Sequence, residues 1–166
     1  LPDWLTHILI AIVVIELLSL RYEQAKEYRF FVLFGSILPD IGNFTILFGK
    51  SGERIKPFFE ALHTPFGFLI LAALIVYLTR KEWRKVIFYL VALGGMLHFI
   101  ADMLIITLNG KIMVLYPLSL NKYSIGVFRQ GEFIFLITAA IIALITLLAS
   151  RIYRKYTGLS YCQSSR

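Results

Sequence analysis

The chain has 166 residues, 58% of them hydrophobic and only 16% charged, with a mean hydropathy of +0.76. Soluble domains are about 45–50% apolar and about 25% charged, so the length fits one domain while the composition excludes a water-soluble one. The net charge of +7 does not argue for a nucleic-acid partner, because the cations gather on no basic face and fall between apolar runs, as membrane topology requires.

A helix crossing the hydrocarbon core needs roughly 17–25 apolar residues. In chain order about five stretches meet that length: Trp4–Leu20, Phe30–Phe48, Phe58–Thr79, Val86–Leu108 and Glu132–Ser150. Only helices and closed barrels satisfy the backbone in lipid, and runs this continuous are helices. The expectation is therefore an all-α integral membrane protein, a bundle of about five transmembrane helices forming a single domain over residues 1–166. The first run is not expected to be a cleavable signal, since Asp3 precedes it in place of a basic segment and no small-residue cleavage site follows before Arg21. A lone cysteine, Cys162, excludes an internal disulfide and a Cys-rich zinc module. Connections are short except for Asn109–Gly131, which is too apolar for a solvated loop and is expected to lie at the interface or fold back over a site.

Lysine and arginine divide unevenly across five alternating spans. One side receives Arg21, Lys26, Arg29, Arg80, Lys81, Arg84, Lys85, Arg151, Arg154, Lys155 and Arg166, 11 in all. The other receives Lys50, Arg54, Lys56, Lys111, Lys122 and Arg129, 6 in all. The positive-inside rule predicts a plasma or inner membrane protein with a cytoplasmic C-terminus.

Ionisable groups inside a membrane are costly and usually have a purpose. All three histidines, His7, His63 and His98, fall within apolar spans, as do Asp40 and Asp102. His98 and Asp102 stand at i and i+4, on one helix face one turn apart. They can bind a cation together, or simply satisfy each other by a hydrogen bond. Asp40 follows Pro39, where a break in the helix exposes backbone polar groups to a cavity; its carboxylate could equally cap a half-helix. His63 and His7, taken singly, read as well or better as interfacial residues. Asp3, four residues before His7, can orient the imidazole from behind or cap the helix.

The five-span count places His7, Asp40, His63, His98 and Asp102 between the midplane and the outer surface. Independent structural roles give no reason for that convergence, whereas a divalent ion, zinc above all, would offset the cost of burying them. Weaker candidates are Glu60, as a general base, and Lys111, Lys122 and Arg129, as holders of an anionic headgroup, although solvated loop charges explain the cations as well. Glu16 lies on the opposite face from His7 and is expected to pair with Arg21 or a neighbouring helix. Glu132 is expected to be a favourable charge at a helix N-terminus.

The motifs Thr6-His7, Leu38-Pro39-Asp40, Leu62-His63-Thr64 and Gly95-Met96-Leu97-His98-Phe99-Ile100-Ala101-Asp102, with Tyr116-Pro117-Leu118-Ser119 after them, resemble the YdjM-like family of membrane-bound metal-dependent hydrolases. Two features depart from that family. Gly42 stands where members often carry a second acidic residue, and Phe58-Phe59-Glu60 stands where many carry His-Arg-Gly. A more distant similarity is to zinc-dependent phospholipases C, whose ligand order matches His7, Asp40, His63, His98 and Asp102. That resemblance implies one or two zinc ions, with Asp102 as the bridge, and a phosphoester substrate such as a membrane lipid. Asp40 or Glu60 would take a proton from water. The rival expectation is a non-enzymatic metal-binding protein or a scaffold for a cytoplasmic partner.

Overall fold

The computed structural model describes residues 2–42, 49–106, 112–129 and 133–157. Six α-helices account for most of them: α1 (Pro2–Arg21), α2 (Arg29–Ile37), α3 (Gly49–Leu62), α4 (Pro65–Tyr77), α5 (Arg84–Met103) and α6 (Phe133–Thr157). The only extended pairing among the described residues is a two-residue parallel ladder of β1 (Ile105–Ile106) with β2 (Phe128–Arg129), plus an isolated bridge between Ile112 and Tyr123. This is an all-α membrane architecture.

Three helices are single spans by length and apolarity: Trp4–Arg21, Lys81–Met103 and Phe133–Thr157. They coincide with the first, fourth and fifth expected spans. The third expected span is broken. Arg54–Leu62 and Pro65–Tyr77 meet at 87°, so α3 turns across the direction of α4. The cause is local. Proline disfavours helical backbone at the residue before it, and Thr64 is extended (φ −123, ψ 154). The Thr64 hydroxyl accepts a hydrogen bond from the Gly67 amide at 3.0 Å, capping α4, with Pro65 in its first turn. The second expected span also stops early. Pro39 follows directly, α2 ends at Ile37, and residues 38–42 form a tighter 3₁₀ turn. The rest of that stretch, 43–48, lies outside the described residues.

Side-chain contacts set the helix directions. His7, early in α1, meets Asp102, late in α5. Glu16, late in α1, meets Arg154, late in α6. Tyr28 and Trp83, just before α2 and α5, meet ring to ring at 6.1 Å, tilted by 45°. Hence α2 and α5 run together, opposite to α1 and α6, and α4 runs back from the His63 end. This is the alternation that the five-stretch reading requires. The bundle therefore has two unlike ends. Arg21, Lys26, Arg29, Arg80, Lys81, Arg84, Arg151 and Arg154 lie at one, and the histidines at the other.

The core forms where α5 meets α2 and α4. Val91, Ile87 and Phe99 of α5 pack with Phe68, Ala72 and Val76 of α4 and with Leu38. Helices α2 and α5 touch backbone to backbone. A Cβ on Gly94 would overlap the Val32 carbonyl oxygen and come within 2.7 Å of the Ser36 amide nitrogen. Only glycine permits that approach, a usual device for helix packing in lipid, where close van der Waals contact replaces hydrophobic drive. Large apolar side chains elsewhere, such as Leu74, Tyr77, Ile141 and Leu144, are exposed, as lipid-facing surface should be.

The described part of the long connection, 112–129, folds back onto the end of α5. The amides of Ile125 and Val127 donate to the carbonyls of Met103 and Leu104 at 2.7 Å each, satisfying acceptors at the end of α5. Ile112 is fully buried in the core beside Phe99.

Candidate metal centre

Four separate segments deliver five side chains to one place. Helix α1 brings His7, the 3₁₀ turn after α2 brings Asp40, the α3–α4 corner brings His63, and α5 brings His98 and Asp102. The breaks at Pro39 and at Thr64-Pro65 are what place Asp40 and His63 there.

Asp102 stands at the middle. Its Oδ1 lies 3.3 Å from His7 Nε2, and its Oδ2 lies 3.2 Å from His63 Nε2 and 3.4 Å from His98 Nε2. Asp40 straddles the same space more loosely. Its Oδ1 is 3.6 Å from His63 Nε2 and 3.9 Å from His98 Nε2, and its Oδ2 is 4.0 Å from His7 Nε2. Each carboxylate thus turns one oxygen toward His7 and the other toward the His63–His98 pair. The rings of His7 and His98 stack at 3.9 Å. His7, His98 and Asp102 are fully buried; His63, with 21% of its side chain accessible, and Asp40, with 9%, form the open side.

The orientation of the His98 ring is set by its neighbour. Its Nδ1 lies 2.9 Å from the Ser36 carbonyl oxygen, which can only accept, so Nδ1–H donates and Nε2 is turned toward the other ligands. There Nε2 faces His63 Nε2 at 3.0 Å. His7 is buried with no hydrogen-bond partner for either ring nitrogen among the described residues.

This donor set fits a divalent cation. Ligand atoms about 2.0–2.2 Å from one ion stand roughly 3–3.5 Å from each other, and the shorter separations here run from 3.0 to 3.4 Å. Two buried carboxylates bring negative charge that a divalent ion would balance. The atoms form two overlapping groups that share His98, one of His7, His98 and Asp102 and one of Asp40, His63 and His98, with all ligand atoms in each within 4.8 Å of one another.

The other residues singled out in the sequence do not join this cluster. Glu60 is exposed on α3, and Lys122 and Arg129 are exposed on the folded-back segment. None of the three forms an ion pair or hydrogen bond with the five ligands among the described residues. The Asp3 side chain, Lys111 and Glu132 lie outside the described residues. Glu16 pairs with a neighbouring helix, not with Arg21: its Oε2 is 2.8 Å from Arg154 Nη2 and its Oε1 is 3.7 Å from Lys26 Nζ. Ser36 was not legible as part of the site, because its contribution is a backbone carbonyl. Gly94, which lets that carbonyl approach, is the one sequence signal that could have found it.

A family model described as YdjM inner membrane protein matches residues 3–162. The chain belongs to that family. No curated protein and no solved structure matches it. Membership accords with the apolar helices and places the chain among inner membrane proteins, while the metal-compatible cluster rests on the geometry above.

Proposed function

We propose that this protein is a membrane-embedded, metal-dependent hydrolase that cleaves a phosphoester, with a phospholipid headgroup as the substrate class a site in a membrane meets first. The observation that carries the reading is the meeting of three imidazole nitrogens with two carboxylates at one end of the bundle, closed except beside His63 and Asp40. Three histidines with carboxylates suit zinc, as one ion or two. When bound, such an ion supplies Lewis acidity toward a phosphoryl oxygen and lowers the pKa of water.

The chain's own residues do the rest. Ser36 holds the His98 ring with Nε2 turned inward, and Asp102 aligns all three imidazoles. Asp40, on the open side, is placed to take a proton from the attacking water, with Glu60 on α3 as the alternative base. Asp3 would orient His7 from behind. Lys111, Lys122 and Arg129 would hold the anionic headgroup. The lysine and arginine division puts the basic end in the cytoplasm and the metal centre toward the outer face.

One observation favours a second reading. Structural metal sites are closed and catalytic ones keep an open position, and three of the five ligands here are fully buried. In that reading the ion ties α1, the α3–α4 corner and α5 together without catalysis. Detergent-purified protein loaded with zinc decides between them. The hydrolase reading expects cleavage within a panel of phospholipids and model phosphoesters, stopped by a chelator and by Asp40→Asn. A panel left intact by metal-loaded protein would leave the structural role.

A further inference from the structure

The end of the bundle away from the histidines holds a second built feature. A cleft of about 1320 Å³ opens between α1, α2 and α6. Its walls carry five cations, Lys26, Arg29, Arg151, Arg154 and Lys155, against two carboxylates, Glu16 and Glu27. Glu16 is already engaged. It binds Arg154 at 2.8 Å and Lys26 at 3.7 Å, and the Arg154 guanidinium also donates to Ser19 Oγ at 2.6 Å. Arg29, Arg151 and Lys155 form no ion pair among the described residues. They converge on one cleft from α2 and α6 with like charge, and Glu27, the other carboxylate of the cleft wall, pairs with none of them among the described residues.

Below the cations the cleft becomes apolar. Ile12 and Ile15 of α1, Leu33 of α2 and Leu147 of α6 line it. Leu147 stands one turn before Arg151, so the change from apolar to cationic falls where the transmembrane run of α6 ends. Charge at the headgroup level over an apolar wall at the acyl level matches an amphiphile with an anionic head. Pockets for small solutes run about 300–1,000 Å³, so the cleft is larger than free phosphate needs. Basic pockets between transmembrane helices are known seats for anionic lipid headgroups.

We propose that this cleft binds an anionic phospholipid, its phosphate held by Arg29, Arg151 and Lys155 and its acyl chains lying against Ile12, Ile15, Leu33 and Leu147. The site is separate from the metal centre: nine residues of α1 divide Glu16 from His7, about 14 Å along the helix axis. Helix α6 packs chiefly along α1, so a lipid bridging Arg29 to Arg151 and Lys155 also ties α6 to α2.

The test titrates the full protein, held in chelator so that no probe lipid is bound or cleaved at the metal centre, in neutral detergent with phosphatidylglycerol, with phosphatidylcholine or with inorganic phosphate, and reads bound lipid by native mass spectrometry and the unfolding temperature. Phosphatidylglycerol is expected to bind at about one per chain and raise the unfolding temperature, and the other two probes are expected to do neither. Arg29→Gln with Arg151→Gln and Lys155→Gln should weaken that binding on the order of 100-fold, at roughly fivefold per cation, with metal content before chelation unchanged. Equal binding of phosphatidylcholine overturns the proposal, as does undiminished phosphatidylglycerol binding by the triple variant. Stabilisation by inorganic phosphate alone would make this an anion site and not a lipid site. If the triple variant does not fold, the comparison of the three probes on the unaltered protein still decides.

Discussion

Replacing Gly94 by alanine tests the architecture of the metal centre without touching a ligand. In an open helix position the change would gain about 0.8–1 kcal/mol, because alanine is the better helix former. Here the new methyl would overlap the Val32 carbonyl oxygen and stand 2.7 Å from Ser36 N and 2.9 Å from Gly35 C, all of them backbone atoms. Comfortable contacts between heavy atoms are about 3.5–4.0 Å, so α2 must retreat by roughly 1 Å. A methyl has no rotamer with which to escape. Overpacking of this kind costs typically 1–3 kcal/mol, which reverses the sign of the helix-propensity gain. For a domain of this size each kcal/mol is worth about 2–4 °C in unfolding temperature, so Gly94→Ala should unfold several degrees below the unaltered protein. The retreat also draws the Ser36 carbonyl from His98 Nδ1, now 2.9 Å away. Loss of such an orienting partner costs about 10–100-fold in metal affinity, so zinc should titrate into the variant more weakly. Thermal unfolding in detergent, with and without zinc, gives both readings. A variant as stable as the original, with equal zinc affinity, would show that α2 and α5 do not meet at this glycine and that the carbonyl does not position His98.

Other outcomes follow from the same geometry. Purified protein should carry one to two divalent ions per chain, and His98→Ala or Asp102→Ala should each lower that content, while Glu60→Gln, whose residue lies outside the cluster, should not; elemental analysis reads this directly, and full loading of both ligand variants would end the metal assignment. Glu16→Gln removes the carboxylate that Arg154 and Lys26 share at a partly buried position and should cost about 1–3 kcal/mol, seen as a lower unfolding temperature at unchanged metal content. Orientation can be read from Cys162, which lies outside the described residues: a membrane-impermeant thiol reagent should miss it in intact cells and reach it after permeabilisation, whereas Ser51→Cys in a Cys162→Ser background should label from outside. The reverse pattern would turn the metal centre to the cytoplasm, and labelling of both from one side would mean that the number of crossings between them is even.

What the sequence determined by itself was everything that depends on local composition. Long apolar runs dictate lipid-facing helices because backbone groups in hydrocarbon have no other partner. His7, Asp40, His63, His98 and Asp102 stood out for the same reason, since an ionisable group inside such a run needs a compensating contact. The break at Pro39 was read from the same local signal, a proline inside an apolar run. The corner at Thr64-Pro65 was also written locally, but a reading by hydropathy passes over it, because a kink changes the direction of a helix and not the apolarity of its side chains.

Only the tertiary structure decided which distant groups meet. His98 and Asp102 share a helix face by spacing alone, but His7 reaches Asp102 only because α1 runs against α5, and the Ser36 carbonyl reaches His98 only because Gly94 lets α2 close on α5. Every residue has a carbonyl, so the identity of Ser36 does not mark this one, and the only sequence signal lies across the interface at Gly94. Likewise, Arg21 was the nearer partner for Glu16 along the chain, yet Arg154, 138 residues away, takes the contact because α6 lies beside α1. Pairings of this kind depend on the directions and crossing points of whole helices, which no local pattern carries.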